Sequence, residues 1–389
     1  MAHVVVVPTD PPGSTWEAVA GAFSARHDVR LTSLSDPRLE EWIDHADVPL
    51  YHVDGDDSRS EGTYHLAARR PGLVVLHDLD LEGLVRAMVR RGDPLAESAL
   101  REAAADRARI PVQELGGRAR SLTPWCAQLL RRSRGVVVHS AFIARYLAAT
   151  RVRTPVFVAP HPVVGGVDER RARTLRGELP PSEVVAVALC DPSASRWIGE
   201  LVAATPESMR VVVVGSAAEV AGTAERVTVP ESRDEVRSWV AASDVVVNLG
   251  HPGWTEARDF MAAAQAAGRP TLATEPWLVE GIPSDAVVAV GPMPTSDEMR
   301  TALETLLRDR DALGAKVRDD ALARCTPEAA ADVYARAVDA TIALLGDPMR
   351  DAVRRWAAGL AEFGATVDTA RQGLGARFAE ELATIAEAT

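Results

Sequence analysis

The sequence contains few aromatic residues, few cysteines and no long apolar run. Aromatic residues occupy 5% of the 389 positions, and the cysteines are Cys126, Cys190 and Cys325. Three scattered thiols exclude a disulfide framework and a cysteine-based metal cluster. No apolar run reaches the ~20 residues of a transmembrane helix, and the opening MAHVVVVP has no basic segment before its apolar stretch, which predicts a first strand and not a signal peptide. We therefore expect a cytoplasmic protein with reduced thiols.

The common nucleotide-binding and hydrolytic signatures are missing as well. The turn PTDPPGSTW, which follows the first apolar run, has one glycine where a dinucleotide-binding fold has G-x-G-x-x-G, and the turn LCDPSASRW in the second half has none. Walker A, CxxC, HExxH and GxSxG sequences do not occur. Their absence excludes most dehydrogenases, P-loop enzymes, zinc hydrolases and serine hydrolases, and we expect no metal site.

Negative charge exceeds positive charge, and lysine is almost absent. Asp and Glu number 55 against 43 Lys and Arg, a net charge of −12, which argues against nucleic acid or an anionic membrane as the main partner. Lys316 is the only lysine. A bound anion must therefore be met by arginine, by a helix N-terminus or by backbone amides.

Short β-branched runs alternate with helical patterns along both halves of the chain. The runs of the first half are His3–Pro8, Val29–Leu34, Pro49–Val53, Leu73–His77, Gly135–His139 and Val156–Ala159. Those of the second half are Val184–Leu189, Arg210–Val214, Arg226–Val229, Asp244–Asn248, Thr271–Thr274 and Ala286–Val290. Several are continuously apolar, such as VVVV and LVVL, which is typical of parallel strands with helices on both faces. Two successive sets predict two doubly wound α/β domains.

The boundary between the domains is predicted at 164–182, where glycine, proline and charged residues are dense. Residues 1–163 then form the first domain and 183–345 the second. A single helix is predicted over Thr295–Cys325. Residues 346–389 are amphipathic and contain no strand, so we expect this extension to return across the cleft and pack on the first domain.

Several motifs occur in the order found in one group of sugar transferases. They are PTDPPGSTW, YHVDGDD at Tyr51–Asp57, VVLHD at Val74–Asp78, VVVHSAFIARYL followed by VFVAPHPV, and ASDVVVNL followed by Pro252, Glu256 and AAGRP at Ala266–Pro270. In these motifs the chain, from Val4 to Leu345, resembles the GT-B retaining glycosyltransferases, the group of glycogen synthase and many bacterial sugar transferases. The resemblance implies two Rossmann-like domains that face a cleft, with C-terminal helices, the donor on the second domain and the acceptor against the first.

The donor-site motif departs from the family pattern at several positions. Family members commonly have two glutamates around the donor; Glu256 matches the first, whereas alanine fills the region of the second. The Thr-Ser-Gly that usually follows is replaced by Ala-Arg-Asp at 257–259, and a basic pair after the first strand of the second domain is reduced to Arg196. An acid near a helix N-terminus stabilises the helix but repels a diphosphate, so the donor-site motif is degenerate.

The resemblance implies a set of site residues on each side of the cleft. The donor-side residues are Arg196, Trp254, Glu256, Arg258 and Glu280. The acceptor-side residues are Gly13, Ser14, His77 and Asp78. Glu256 and His77 are the candidates for catalysis, although Glu256 also suits the first turn of a helix, and His77 ends a parallel strand whether or not it binds a ligand.

Other polar and aromatic residues have a favoured structural interpretation. Ser140 precedes a helical pattern and suits an N-cap. The acids of YHVDGDD, beginning at Asp54, suit a solvated turn better than a metal site. Trp254 and Trp277 suit packing slightly better than stacking on a base or a sugar, and Arg196 suits a solvated position on a helix. His161, between two prolines, suits a hinge.

We expect an enzyme that moves a sugar from a UDP- or GDP-linked donor to the hydroxyl of a small-molecule or glycan acceptor, with retention. Retaining members are thought to react on one face of the sugar, with the leaving phosphate oxygen accepting the proton, so no separate base, metal or cofactor is implied. Two alternatives stay open: a catalytically silent GT-B protein that binds or stabilises another enzyme and, less favoured, a nucleotide-sugar epimerase of the same architecture. A homo- or hetero-oligomer is compatible with each of these functions.

Overall fold

Twelve strands and fourteen α-helices make up the part of the chain that the computed structural model describes: residues 1–8, 14–55, 57–107, 125–149, 153–163, 169–189, 195–214, 227–228, 233–250, 253, 255–280, 282, 287–291 and 294–345. The strands are β1 His3–Val7, β2 Asp28–Leu31, β3 Val48–Val53, β4 Leu73–Leu76, β5 Gly135–Val138, β6 Val156–Val158, β7 Val184–Leu189, β8 Met209–Val214, β9 Val227–Thr228, β10 Val245–Asn248, β11 Thr271–Thr274 and β12 Val287–Val290. The helices of the first half are α1 Ser14–Phe23, α2 Leu39–His45, α3 Asp57–Arg69, α4 Glu82–Arg90, α5 Pro94–Arg107, α6 Ala127–Arg132 and α7 Ala141–Ala149. Those of the second half are α8 Glu169–Gly177, α9 Ser195–Ala204, α10 Arg233–Ala242, α11 Thr255–Ala266, α12 Ser296–Arg308, α13 Arg310–Arg324 and α14 Pro327–Leu345. None of these helices is both long enough and apolar enough to cross a membrane.

The first six strands form one parallel sheet in the order β2-β1-β3-β4-β5-β6. The strand β1 pairs with both β2 and β3, so that Val5 lies opposite Arg30 on one side and Pro49 on the other. Its residues Val4 to Val7 are fully buried because helices cover both faces of the sheet, as the unalternated VVVV run predicts. The direction of winding reverses between β1 and β3, which is the topological switch point of this sheet.

The last six strands form a second parallel sheet in the order β12-β11-β10-β7-β8-β9. This is the Rossmann strand order, with its switch point between β7 and β10, where Val187 lies opposite Val246. Ligands of such sheets bind beyond the carboxyl ends of the strands at that point. The predicted pair of doubly wound α/β domains is confirmed.

Two neighbouring crossings join the domains, and the second brings the chain back to the first domain. Val163, after β6, donates its backbone N–H to the carbonyl of Cys325, just before α14, at 2.8 Å. Helix α14 then packs on the first sheet, where Tyr334 and Val338 lie in one buried cluster with Trp16 of α1. The apolar face of α14 thus completes the core of the first domain.

Two helices, α8 and α14, lie in domains other than those predicted from the sequence. The segment 164–182, predicted as a linker, contains α8, whose Ala172 and Leu175 are buried in the core of the second domain. Helix α14 falls within the segment predicted for the second domain, but its buried residues belong to the core of the first. Residues 346–389, which we expected to make this return, lie outside the described residues.

The single helix predicted over Thr295–Cys325 is wrong, because α12 and α13 divide this segment. Thr295 begins α12 with a capping box: its side chain accepts from the backbone N–H of Glu298, whose side chain in turn accepts from the N–H of Thr295. The break falls at Asp309, which ends α12 and precedes α13. No glycine or proline marks this break in the sequence, so local spacing does not show it.

Removal of the Tyr334 side chain should destabilise the first domain. Tyr334 is 1% exposed, and its ring centroid lies 5.3 Å from that of Trp16 and 6.1 Å from that of Phe23. Tyr334→Ala leaves a cavity there, so we expect the free energy of unfolding in urea titrations to fall by about 3–5 kcal/mol. The exposed Arg336 on the same helix provides the control, since Arg336→Ala should change it by less than about 0.5 kcal/mol. Equal stability of the two variants would show that α14 is not anchored on this sheet.

Candidate functional site

Four histidines from neighbouring strands form a row at the carboxyl edge of the first sheet. His52 lies in β3, His77 and His139 directly follow β4 and β5, and His161 comes shortly after β6. Successive ring centroids in this histidine row are 5.1, 5.5 and 5.5 Å apart. Because side chains alternate along a strand and β3 to β6 are adjacent, the row shares the sheet face that α1 and α14 cover.

Hydrogen bonds connect the row to itself and to the returning helix. His52 Nδ1 and His77 Nε2 are 2.8 Å apart. The hydroxyl of Tyr334, on α14, lies 3.2 Å from Nε2 of His139. The edge of Trp16, on α1, packs against His52 with ring centroids 4.4 Å apart. The rings at the carboxyl edge are therefore held by both helices that cover this face.

Three histidines of the row are uncharged near neutral pH. Burial lowers the pKa of His52 and of His139 well below the usual range of a histidine. Burial, and after it the positive charge of Arg258, lowers the pKa of His77 to about 4. A neutral imidazole has one donor and one acceptor nitrogen. These three rings can therefore position a hydroxyl group but do not supply positive charge.

Helix α11 of the second domain faces the histidine row. Its Arg258 is 3% exposed, and burial lowers the pKa of this guanidinium, while the negative charges of Asp78, Asp259 and Glu280 oppose that shift. Asp259 Oδ1 lies 3.0 Å from His161 Nε2. Burial raises the pKa of Asp259, but the hydrogen bond and charge of His161, together with the charge of Arg258, favour the ionised carboxylate, and the net shift is downward. The negative charges of three carboxylates thus act on the guanidinium of Arg258 at the domain interface.

The loop after β4 closes the interface between the domains. Leu79 donates its backbone N–H to the carbonyl of Gly253, in the second domain, at 2.9 Å. Asp78 Oδ2 accepts from the N–H of Gly55 at 2.9 Å. A Cβ atom on Gly55 would lie 2.9 Å from the carbonyl oxygen of Asp80, so the YHVDGDD turn requires glycine here. Asp78, predicted on the acceptor side, therefore also joins two loops of the first domain.

Glu280, predicted on the donor side, caps a helix of the first domain in this structure. Its carboxylate accepts from the hydroxyl of Ser140 at 2.7 Å and from the N–H groups of Ala141 and Phe142, at the start of α7, at 3.2 and 2.9 Å. Ser140 in turn accepts from the N–H of Ile143 at 3.0 Å, which confirms the predicted N-cap. Burial raises the pKa of Glu280. We name this contact the interdomain cap.

Four of the predicted site residues lie at the domain interface: His77, Asp78, Arg258 and Glu280. The others lie, as whole residues or in their side chains, outside the described part of the chain: Gly13, Ser14, Arg196, Trp254 and Glu256. Glu256 stands in the first turn of α11, where a helix dipole favours an acid. The roles assigned to all of these residues stay predictions.

The structure tests the interpretations given above to Asp54 and Trp277. Asp54 is 7% exposed and accepts from the hydroxyl of Ser60 at 2.7 Å, while its own N–H donates to that hydroxyl at 3.0 Å, so the solvated turn is wrong for this acid. Trp277 is 2% exposed and donates its Nε1–H to the carbonyl of Gly250 at 3.0 Å. The buried position of Trp277 therefore agrees with packing, which is the interpretation favoured from the sequence.

The sequence motifs do not identify His52, His139 and Tyr334 as parts of the cleft. A signal was present, because a histidine occurs at or just after each of four successive strands. These residues become neighbours only once the strand order is known, since β3, β4, β5 and β6 happen to be adjacent. Tyr334 reaches the row from a helix far along the chain, which no local pattern indicates.

A second cluster of potential ligands lies on helices of the first domain. Glu61, His65 and Asp93 each place one such atom within 4.8 Å of the others. His65 Nε2 lies 2.6 Å from Asp93 Oδ2, and Glu61 pairs with Arg91. Asp93 Oδ1 also accepts two backbone N–H groups at the start of α5. Ion pairing and helix capping account for all three side chains.

No protein-family model matches the sequence, and no curated protein matches it either. Solved structures do resemble it. The crystal structure of Anabaena HepE in complex with UDP and glucose has a TM-score of 0.55 at 12% identity, over 87% of this chain and 100% of that one. HepE in complex with UDP-glucose has a TM-score of 0.52 at 13% identity, over 89% and 99% of the two chains. The N-terminal domain of Candida albicans trehalose-6-phosphate phosphatase has a TM-score of 0.51 at 10% identity, over 87% and 97%.

The chain has the GT-B fold. At these identities the likeness extends to the fold and not to particular residues. The two facing Rossmann-like domains of the expected glycosyltransferase architecture are thus present. The histidine row and α11 lie where the two domains of this fold meet.

Loss of the interdomain cap should loosen the contact between the domains. Glu280→Ala removes the acceptor of three hydrogen bonds at the start of α7. We expect faster hydrogen exchange at the amides of Ala141 and Phe142 and a loss of about 1–3 kcal/mol in the free energy of unfolding. Glu275→Ala is the control, because Glu275 is exposed at the other end of the 3-10 helix Glu275–Glu280. Unchanged exchange at α7 would mean that the cap does not persist in solution.

Asp80→Asn should flatten the pH dependence of stability. Burial raises the pKa of Asp80 from 3.8 to about 6. A carboxyl group whose pKa is higher in the folded than in the unfolded state contributes stability at a pH below its unfolded-state pKa. This contribution is lost as the pH rises through the folded-state pKa. For Asp80 the loss falls between about pH 4 and 7 and amounts to at most ~3 kcal/mol. Asparagine stays neutral and retains an acceptor for the N–H of Glu82, which Asp80 Oδ1 accepts at 2.8 Å.

In urea titrations, the free energy of unfolding of Asp80→Asn should therefore increase relative to that of the wild type as the pH rises from 4 to 7. The control is Asp311→Asn, because the Asp311 side chain is 98% exposed. Parallel curves for wild type and Asp80→Asn would contradict the assignment of the pH dependence to this carboxyl group.

Proposed function

We propose that the chain transfers a sugar from a nucleotide-diphosphate donor to an acceptor hydroxyl, with the donor on the second domain and the acceptor against the first. The observation that carries this proposal is the GT-B arrangement itself, in which the charge of Arg258, on α11, acts on His77 and Asp78 at the carboxyl edge of the first sheet. The complexes of HepE with UDP and glucose and with UDP-glucose support a nucleotide sugar as the donor. A small-molecule or glycan hydroxyl is the proposed acceptor.

The reaction requires stabilisation of the leaving diphosphate, a positioned acceptor and exclusion of water. The start of α11, which contains Glu256 and precedes Arg258, offers backbone amides and one guanidinium for the diphosphate. The uncharged His77 donates a hydrogen bond to the oxygen of the acceptor hydroxyl, which leaves the hydroxyl proton for the phosphate oxygen. We propose retention of configuration, with the leaving phosphate oxygen taking the hydroxyl proton, and we assign no metal or further cofactor to the reaction.

The charge around Arg258 favours a second candidate, a catalytically silent GT-B protein that binds or stabilises another enzyme. Asp78, Asp259 and Glu280 already act on this guanidinium. A diphosphate placed beside it would meet three carboxylates and would be repelled unless at least one of them moved or bound a proton. A silent protein needs no such rearrangement.

Binding and turnover of nucleotide sugars separate the two functions. We expect UDP-glucose or GDP-glucose to raise the thermal midpoint, since a ligand at a hundred times its Kd adds about 2.7 kcal/mol of stability. Release of UDP or GDP measures turnover, and NMR of the product measures the anomeric configuration. Glu256→Gln should retain binding and lose turnover, whereas Glu275→Gln, at an exposed position in the same domain, should retain both. If none of a panel of nucleotide sugars bound or reacted, the silent function would replace the enzymatic one.

A further inference from the structure

Five aromatic side chains close a loop at the carboxyl edge of the first sheet. They are Trp16, His52, His77, His139 and Tyr334. Taken in this order and back to Trp16, successive ring centroids lie 4.4, 5.1, 5.5, 6.2 and 5.3 Å apart. We name this group the five-ring cluster. It joins three residues of the histidine row to side chains of α1 and α14 and belongs to the first domain, on the proposed acceptor side of the cleft.

The five-ring cluster uses only part of its hydrogen-bonding capacity internally. His52 Nδ1 pairs with His77 Nε2, and the Tyr334 hydroxyl pairs with His139 Nε2. Three further nitrogens are buried and have no hydrogen-bond partner among the described residues: Trp16 Nε1, His52 Nε2 and His139 Nδ1. The three residues are 7%, 3% and 8% exposed. Because roughly 90% or more of buried polar groups in proteins have a partner, three such nitrogens in one cluster indicate a polar ligand.

The chemistry of these three nitrogens favours hydroxyl groups as their ligand. An indole N–H only donates, whereas a neutral imidazole nitrogen donates in one tautomer and accepts in the other. A hydroxyl group both donates and accepts, so it matches all three nitrogens in either tautomer. An ionised carboxylate or phosphate only accepts, and an ammonium group only donates. The hydroxyl groups of a sugar or a polyol therefore fit the set without requiring one tautomer.

The surroundings of the five-ring cluster oppose charge of either sign. Burial is the main cause that lowers the pKa of His52, His77 and His139 and keeps these rings neutral. The same loss of solvation would penalise a phosphate, a carboxylate or an ammonium group there. The charge of Arg258 also opposes a cation, since it lowers the pKa of His77 and of His139. An anion gains little from Arg258, on which three carboxylates already act.

We propose that the five-ring cluster is the acceptor subsite and that it binds an uncharged, hydroxyl-bearing acceptor through the ring nitrogens of Trp16, His52 and His139. The inference rests on the proposed sugar transfer for the role of this ligand as acceptor, but not for its binding. The faces of the rings supply apolar surface for its C–H groups. Because the three nitrogens are buried, the ligand enters when the domains rotate apart, which breaks the contact of His161 with Asp259 beside His139.

NMR of 15N-labelled protein measures this binding without a donor. The indole N–H signal of Trp16 is assigned by its loss in Trp16→Phe. We expect it to shift in a saturable way with neutral probes, which are methyl α-glucoside, methyl α-mannoside and myo-inositol. Glucose 6-phosphate, glucuronate and glucosamine at the same concentrations should leave it unchanged. The signal of Trp239 is the internal control, because its Nε1 is also buried without a described partner but lies in the second domain.

Substitution of His139 tests the contribution of one nitrogen to the binding of the neutral probe. His139→Phe keeps a ring but removes Nδ1, and we expect the Kd to rise about three- to tenfold, as for the loss of one hydrogen bond. This variant also removes the partner of the Tyr334 hydroxyl, so Tyr334→Phe is the matched control and should bind like the wild type. If no neutral probe shifted the Trp16 signal, or if a charged probe shifted it equally, the proposal would be overturned.

Acceptor kinetics with UDP-glucose as the donor distinguish a failure of this inference from a failure of the proposed transfer. Trp16→Phe should raise KM for the neutral acceptor about three- to tenfold and change KM for UDP-glucose by less than about twofold. Trp239→Phe should leave both constants unchanged. An unchanged acceptor KM in Trp16→Phe, in an active enzyme, would exclude the five-ring cluster as the acceptor subsite. A wild type that binds neutral probes without turnover would instead refute the transfer and retain the binding site.

Discussion

Helices cover both faces of both sheets, and this constraint places the polar chemistry of the molecule at the ends of the strands. Strand interiors such as Val4–Val7 and Val136–Val138 are fully buried, and an unpaired polar group there would cost about 2–7 kcal/mol. This cost is smaller where a strand ends beyond the helices that cover it, as at His77 and His139, because a polar side chain can find a hydrogen-bond partner there. Because the strands are parallel, these positions meet at one edge of each sheet. The histidine row is a direct result of this geometry.

The neutrality of the row affects the electrostatics of the opposite domain. Burial removes charge from three of its histidines, so the charges near Arg258 come mainly from carboxylates. The negative charges of those carboxylates offset the free-energy cost of burying the positive charge of Arg258. The same balance opposes a diphosphate. Under the proposed function, stability of the closed interface and binding of a donor would conflict, and Glu280 is central to this conflict because its carboxylate also caps α7.

The sequence predicts the strands far better than it predicts the site. Runs such as Val184–Leu189 and Thr271–Thr274 match the structure residue for residue, because hydrophobic periodicity is a local property. The histidine row depends on the order of strands in the sheet, and the interdomain cap depends on how two domains meet. Neither is encoded within any short segment. Helix α14 shows the same limit: it follows the last strand of the second domain in the sequence, and no local pattern indicates that its apolar face covers the first sheet.

The returning helix also connects the fold to the cleft. Tyr334 of α14 contacts His139 of the row through its hydroxyl and Trp16 through its ring, and Trp16 in turn packs on His52. The start of α14 lies beside Cys325, whose carbonyl binds the N–H of Val163 where the chain first leaves the first domain. A rotation of one domain against the other must pivot at these two adjacent crossings. Since α14 is fixed in the core of the first domain, such a rotation would move α11 and the Glu280 cap across the histidine row and leave the row itself unchanged.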